Sequence, residues 1–229
     1  MAHHTELLPE PLPENPMVLF DQWLTEALRK RLQPNPNAMV LATVTEYGAP
    51  SARVVLCKAV VPERGFIVFY TNYRSHKGRQ LAANPRAAAV FHWDHLHRQV
   101  RLEGVVDRLH PADSDEYFAS RPWQSRLGAW ASEQSEPVKS RAELRAALEA
   151  AAKRFGTPVP NGEGSDAASD VQIPRPPHWG GYRLWIENVE LWVEGAGRIH
   201  DRARWERPVS ELPRGYFETG PWTATRLQP

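Results

Sequence analysis

Apolar positions along this chain repeat in two rhythms, and the change from one to the other outlines its elements. Over residues 15–32 the run NPMVLFDQWLTEALRKRL repeats every three to four residues. Leu19, Phe20, Trp23, Leu24, Ala27 and Leu28 fall on one stripe, the mark of an amphipathic helix that docks on something. Asn15 is placed as its cap, and Pro16 takes the first helical position, where a missing N–H costs nothing. The period then shortens to two. AMVLATVTEYGAPSARVVLCKAVV reads as two strands about a turn at 46–48, PERG turns into FIVFYTN, and RAAAVFHW and RQVRLEGVVDRL continue the run. Short strands at this spacing predict a small barrel or sandwich.

Helices return after Pro111. ADSDEYFAS is a short one, Pro122 breaks or restarts it, and SRAELRAALEAAAKRFG is a helix with a capping box at Ser140 and Glu143 and a terminal Gly156. Residues 157–178 are loop by composition, a loop insertion, and YRLWIENVELWVEGAGRIHDRARWE is again strand, turn, strand. Within it RIHDR, read as strand, sets Arg198, His200 and Arg202 on one face and Ile199 and Asp201 on the other. Residues 1–14, rich in Pro and Glu, read as a flexible arm. Residues 15–229 then form a single domain whose last part, 179–229, supplies the C-terminal strands that complete a site.

Composition narrows the function. The chain has 229 residues, 41% hydrophobic and 24% charged, with 28 basic and 27 acidic side chains. A net charge of +1 leaves no broad basic field for nucleic acid or a membrane surface, so cationic clusters must be local. The one cysteine, Cys57, cannot form an intrachain disulfide, and no stretch is long and apolar enough to span a bilayer. The first residues lack a basic segment followed by an apolar one, so a cytoplasmic protein is expected. HWDHLHR brings His92, Asp94, His95 and His97 together. It has no cysteine partner and no helical His–Glu spacing, and it reads as a hairpin turn, with no metal expected.

Three segments carry candidate chemistry. In YTNYRSHKGRQ, Thr71, Ser75, His76 and Lys77 occupy a turn leading into a helix, and a helix N-terminus with hydroxyls and cations suits a phosphate. In ARVVLCK, Arg53 and Lys58 lie five residues apart and point to opposite faces of a regular strand, so sharing a ligand requires a bulge, a bend or a wrap. In YFASRPWQS, Tyr117 and Arg121 stand at i, i+4 on one helix face, with Ser125 beyond the proline. Taken singly, each has an ordinary reading as an exposed turn, a snorkelling strand end or a solvated helix face.

Taken together, the order and wording of these segments resemble the pyridoxine/pyridoxamine 5'-phosphate oxidase family. The matching phrases are NAMVLATV, ARVVLCK, FYTN, RQVRLEG, YFASRPWQSRLGAWAS in outline, WGGYRL, the Leu191–Trp192 pair and RIHDR, and they run from about residue 15 to the end of the chain. The resemblance implies a mainly β fold with peripheral helices, the FMN-binding split β-barrel, as a homodimer with flavin mononucleotide at the subunit interface. It implies flavin contacts at Arg53, Val54, Val55, Leu56, Cys57, Lys58, Tyr70, Thr71, His76, Lys77, Gln99, Gln134, Ser135, Trp192 and Arg202. It places the substrate phosphate at Lys58, Tyr117, Arg121 and Ser125, and the pyridine ring near Arg198 and His200, the two residues expected to assist catalysis. The activity so implied is oxidation of pyridoxine and pyridoxamine 5'-phosphates to pyridoxal 5'-phosphate, with O2 reduced to hydrogen peroxide.

Charge counting agrees. Two phosphomonoesters bring roughly −3 to −4 into the site at neutral pH. Arg53, Lys58, Lys77, Arg121, Arg198 and Arg202 supply the matching cations. His76 stands where relatives usually carry Arg, which replaces a permanent cation by a titratable one and makes flavin affinity fall as pH rises, as a retention series against pH would show. Cys57 reads as a small core hydrophobe. Two rivals remain open: an oxidase of a phenazine-type aromatic, which has no need of the phosphate set, and a flavin- or pyridoxal-phosphate-binding module without turnover, which has no need of Arg198 and His200.

Overall fold

In the computed structural model, which describes residues 6–160 and 171–229, the first helix runs Pro16–Lys30 (α1) and the Asn15 side chain caps it by accepting from the Met17 N–H at 3.0 Å. Met17, Phe20, Trp23, Leu24 and Ala27 are buried, whereas Leu28 is 44% exposed. At about 100° per residue Leu28 lies about 80° round from Phe20, beyond the edge of the buried stripe. Phe20 meets Phe91 of the barrel at 5.0 Å between ring centroids, and Glu26 pairs with the buried Arg98 at 2.5 Å.

The strands are β1 (Ala38–Val44), β2 (Pro50–Val61), β3 (Phe66–Asn72), β4 (Arg86–Trp93), β5 (Arg98–Arg108), β6 (Trp179–Val193), β7 (Asp201–Glu206), β8 (Val209–Leu212), β9 (Tyr216–Thr219) and β10 (Thr223–Leu227). Their order is β10-β7-β6-β3-β2-β1-β4-β5, and β6 also pairs with β5, so six strands close into an antiparallel barrel that β7 and β10 extend. This is the expected mainly β architecture, a split barrel with peripheral helices. Ala87, Ala89, Phe91 and Trp93 of β4 and Val100 and Leu102 of β5 point inward at period two. Closure needs Gly104, because a Cβ there would lie 1.8 Å from the Trp185 carbonyl oxygen.

The helices after α1 are α2 (His76–Ala83), α3 (Pro111–Ala119), α4 (Trp123–Ala131) and α5 (Arg141–Phe155). Ser140 caps α5 by accepting from the Glu143 N–H at 3.2 Å, and Glu143 reaches back to the N–H of Lys139, one residue before the cap. Gly156 ends the helix at φ 66.

The chain divides into two compact units. Unit 1 takes the chain up to residue 69 with 83–107 and 183–229, and holds the barrel. Unit 2 takes 70–82 and 108–182, and its core joins Trp123, Leu127, Ala151, Ala152 and Ile173. Ile173 belongs to the expected insertion 157–178, and Pro174 accepts from the Trp130 indole at 2.7 Å, so this flank is packed; residues 161–170 lie outside the described residues.

Two readings of the sequence need correction. Residues 6–14, expected as part of a flexible arm, are tied to unit 1. Leu8 is 5% exposed and its N–H donates to Asp201 at 2.8 Å, while the Pro13 carbonyl accepts from the Trp205 indole at 2.8 Å. Backbone groups and one apolar anchor hold this segment, and a count of Pro and Glu does not register them. RIHDR is the second case. Ala196–Arg198 form a 3-10 turn with Gly197 at φ 63 and Arg198 at φ 65, and β7 begins only at Asp201, so the alternation of faces does not reach Arg198 or His200.

Candidate functional site

Unit 2 builds a cationic cradle where β3 turns into α2. Thr71 and Ser75 are buried, and Lys77, in the first turn of α2, is 8% exposed. Its Nζ lies 3.2 Å from Thr71 Oγ1, 3.4 Å from Ser75 Oγ and 3.0 Å from Gln134 Oε1, and Thr71 Oγ1 donates to the same Gln134 oxygen at 3.1 Å. Asn72 and Ser75 shape the turn, with the Arg74 N–H on Asn72 Oδ1 and the Gly78 N–H on Ser75 Oγ. The Thr71 hydroxyl is spent on Gln134 and the Ser75 hydroxyl on the Asn72 carbonyl, at 2.7 Å, which leaves an ammonium at a helix N-terminus, a combination suited to a phosphate. Arg79 donates to Glu136 at 2.5 Å and ties α2 to the loop carrying Gln134 and Ser135. A neighbouring cavity of about 520 Å³ has Asn72, Arg79, Gln134 and His178 in its wall, but not Lys77, Thr71 or Ser75. His76 begins α2 and is exposed.

A second cation of unit 2 is Arg121. The expected shared helix face is replaced by a junction: α3 ends at Ala119, and Arg121 follows Ser120, its C-cap. The guanidinium sits 4.6 Å above the Trp179 ring and 5.4 Å from Phe118, and its Nη1 is buried with no hydrogen-bond partner among the described residues. Burial lowers its pKa. Tyr117 stacks on Tyr70 at 3.8 Å, and burial, with Tyr117 beside it, pushes the Tyr70 phenol up to about 12. Ser125, in the first turn of α4, is exposed.

In unit 1, the register of β2 with β3 shifts between Cys57 and Ala59, at Lys58, an irregularity of the kind that a ligand shared by Arg53 and Lys58 would require. Arg53 donates to Thr43 Oγ1 at 2.5 Å, to the Leu41 carbonyl at 3.2 Å and to Ser51 Oγ at 2.9 Å, and burial lowers its pKa. Val54 is 65% exposed and Leu56 lies at the surface, Val55 is half-buried, Cys57 is buried and Lys58 is exposed. Gln99 is half-buried in β5, facing His92 of β4 across the ladder.

The turn from β6 to β7 holds the last group. His200 packs on Trp192 at 4.7 Å between centroids, and its Nδ1 accepts from the Gly195 N–H at 3.2 Å. Trp192 faces Arg202 across the β6–β7 ladder. Arg202 is bound through Nε and Nη2 to Glu190, at 3.1 and 2.9 Å, and Glu190 also takes Arg101 at 3.0 Å. Arg198 is exposed. Among the described residues four non-glycine residues have positive φ: Arg31, His97 and Arg198 stand at the ends of helical turns, and Ser135 lies in the loop after α4.

Sequence reasoning missed Trp179, Glu190 and Gly195. Trp179 opens the WGGYRL phrase, ahead of the strand read from Tyr182, and was given no role of its own. Glu190 reaches Arg202 only through strand register, and Gly195 acts through a backbone N–H.

Comparison with known proteins agrees with this architecture. A family model described as pyridoxamine 5'-phosphate oxidase matches residues 24–155, and one described as the pyridoxine 5'-phosphate oxidase C-terminal dimerisation region matches 179–229. Curated proteins named pyridoxine/pyridoxamine 5'-phosphate oxidase from Burkholderia lata and Burkholderia ambifaria are 47% and 48% identical over 215 residues, 94% of this chain and 89% of theirs. Among solved structures, PhzG from Burkholderia lata 383, in complex with tetrahydrophenazine-1-carboxylic acid, superposes with a TM-score of 0.77 at 29% identity, over 95% of this chain and 94% of that one. Barrel and matches together define an oxidoreductase. The chain belongs to the pyridoxamine 5'-phosphate oxidase family. The dimerisation region supports assembly as a homodimer, and no helix among the described residues is long and apolar enough to cross a membrane.

Proposed function

We propose that this protein oxidises pyridoxine 5'-phosphate and pyridoxamine 5'-phosphate to pyridoxal 5'-phosphate, with flavin mononucleotide as cofactor and O2 reduced to hydrogen peroxide. The observation that carries this reading is the presence in unit 2 of two separate cation sets, Lys77 with Thr71 and Ser75, and Arg121 on its aromatic bed. Two sets suit two phosphates, one on the cofactor and one on the substrate. A buried, unpartnered guanidinium N–H is costly until an anion meets it.

Flavin mononucleotide, when bound, supplies the hydride-accepting and dioxygen-reducing chemistry. For its phosphate and ring we assign Tyr70, Thr71, His76, Lys77, Gln134 and Ser135 from unit 2, and Arg53 to Lys58, Gln99, Trp192 and Arg202 from unit 1. Arg202 serves through the Glu190 pair that aims it. The substrate phosphate is assigned to Lys58, Tyr117, Arg121 and Ser125, whose donors hold and orient the vitamer. Arg198 clamps the pyridine substituents, and His200 presents Nε2 to them.

The 47–48% identity to named pyridoxine/pyridoxamine 5'-phosphate oxidases supports this over the phenazine reading, for which the PhzG likeness at 29% speaks. The test is direct. Purified protein should be yellow with flavin absorption and release peroxide with each phosphorylated vitamer. Peroxide with a reduced phenazine carboxylate and none with the vitamers would establish the rival, and a colourless protein indifferent to added cofactor would remove both.

A further inference from the structure

Trp179 touches three of the residues assigned to ligands. Its ring is parallel to Tyr70, with centroids 5.4 Å apart and planes at 10°, and to Tyr117 at 6.2 Å and 5°. Phe118 meets it edge-on at 5.0 Å, and the Arg121 guanidinium carbon lies 4.6 Å from its centroid. Two glycines follow in close quarters, and the second lies beside the stack. A Cβ at Gly181 would come 2.8 Å from Tyr70 Cε1, and one at Gly180 would come 2.1 Å from the Tyr73 hydroxyl. A larger residue at Gly181 also meets Leu109 Cδ1 at 2.3 Å, so either position forces its neighbours to shift.

A guanidinium laid on an aromatic face loses rotamer freedom while its edge N–H groups stay available to an anion. Arg121 has no carboxylate partner among the ion pairs of the described residues, and its Nη1 is orphaned. The ring face is what this cation rests on.

We propose that Trp179 is the positioning residue for anion capture in unit 2: its ring sets the Arg121 guanidinium plane in one orientation, so that an aromatic phosphomonoester meets a donor fork already in place. That the anion is a phosphate rests on the function proposed above. A plain core role for Trp179 makes a different claim, namely that its loss damages folding, flavin retention and ligand binding alike.

The experiment measures binding of pyridoxal 5'-phosphate, with inorganic phosphate as competitor, to the flavin-loaded full-length protein and to Trp179→Leu, Trp179→Phe, Arg121→Met and the Trp179→Leu/Arg121→Met pair. Trp179→Leu should bind about tenfold more weakly with flavin content unchanged, and Trp179→Phe, which keeps a ring face, should recover most of that. In the Arg121→Met background the leucine change should add nothing, because Trp179 acts through Arg121. Additive losses, or flavin and ligand lost together in both Trp179 variants, would overturn the assignment. Turnover separates this from the wider reading. A wild type that yields no peroxide but whose pyridoxal 5'-phosphate binding depends on Trp179 refutes the oxidase function alone, and an active wild type matched in binding by Trp179→Leu refutes the positioning role alone.

Discussion

The N–H of Gly195 donates to Nδ1 of His200 at 3.2 Å, and because a backbone amide can only donate, this contact settles which ring nitrogen of His200 accepts. With Nδ1 accepting, neutral His200 carries its proton on Nε2 and offers a donor to whatever lies beyond it. No carboxylate partner is needed to choose the tautomer. A glutamine amide can place a donor near the Nε2 position, whereas an asparagine amide falls nearer Nδ1. His200→Gln should therefore retain turnover within about tenfold, and His200→Asn should lose roughly a hundredfold, within the usual range for a positioned proton-handling group. Steady-state peroxide assays decide this, and equal losses in the two variants would remove the Nε2 role.

Lys77 makes a second test. Its buried Nζ is surrounded by Thr71, Ser75 and Gln134 oxygens. Replacing it by Met leaves the packing volume and removes the charge. A charge-assisted hydrogen bond to phosphate contributes about 1.5–3 kcal/mol, so flavin mononucleotide should bind roughly 10- to 150-fold more weakly to Lys77→Met, read by flavin fluorescence titration of apoprotein. Riboflavin, which lacks the phosphate, should bind both proteins alike. An unchanged affinity for flavin mononucleotide would place its phosphate elsewhere.

Period was legible in the sequence; geometry at strand ends was not. The β1–β5 run, the Asn15 cap and the Ser140 and Gly156 ends of α5 follow from local chemistry, so residue type and spacing suffice to place them. Arg198 and His200 were misplaced because Gly197 and Arg198 both take positive φ, and a tight turn of alternating polar residues looks like a strand until that is known. The Lys58 bulge and the Arg202–Glu190 pair depend on register between strands distant in sequence, which no local pattern encodes. Trp179 shows the same limit from the other side: nothing local marks it, and only the fold reveals that a guanidinium lies on it.

Cys57 gives a prediction in pH. Burial pushes its thiol up to about 12, above an ordinary 9.0, and Tyr70 also rises to about 12. The unfolded chain therefore releases these protons at lower pH than the native one. The stability they contribute is complete below about pH 9 and is lost as pH climbs towards 12. Thermal midpoints should fall between about pH 8 and about pH 10.5, and the fall should be smaller in Cys57→Ala, which removes one of the two groups. A thiol reagent should label Cys57 only on unfolding. Parallel falls in wild type and Cys57→Ala would show that the thiol does not titrate in this way.

Leu8 is the residue whose substitution separates an anchored segment from a loose one. Were residues 6–14 free of the barrel, truncating an apolar side chain there would cost nothing. Leu8 is 5% exposed instead, its N–H binds Asp201 Oδ2, and Arg226 binds Asp201 Oδ1 at 2.7 Å, so one carboxylate at the start of β7 joins the N-terminal segment to β10. Leu8→Ala should cost about 2–3 kcal/mol, the low end for a buried leucine because the segment can partly collapse on the space left. Asp201→Ala removes both links at once and should cost at least as much, since two donors lose their charged acceptor. The two losses should not add, because each change loosens the same junction. Urea unfolding at constant m-value measures all three proteins. A midpoint for Leu8→Ala equal to that of wild type would return residues 6–14 to the flexible arm their composition suggests.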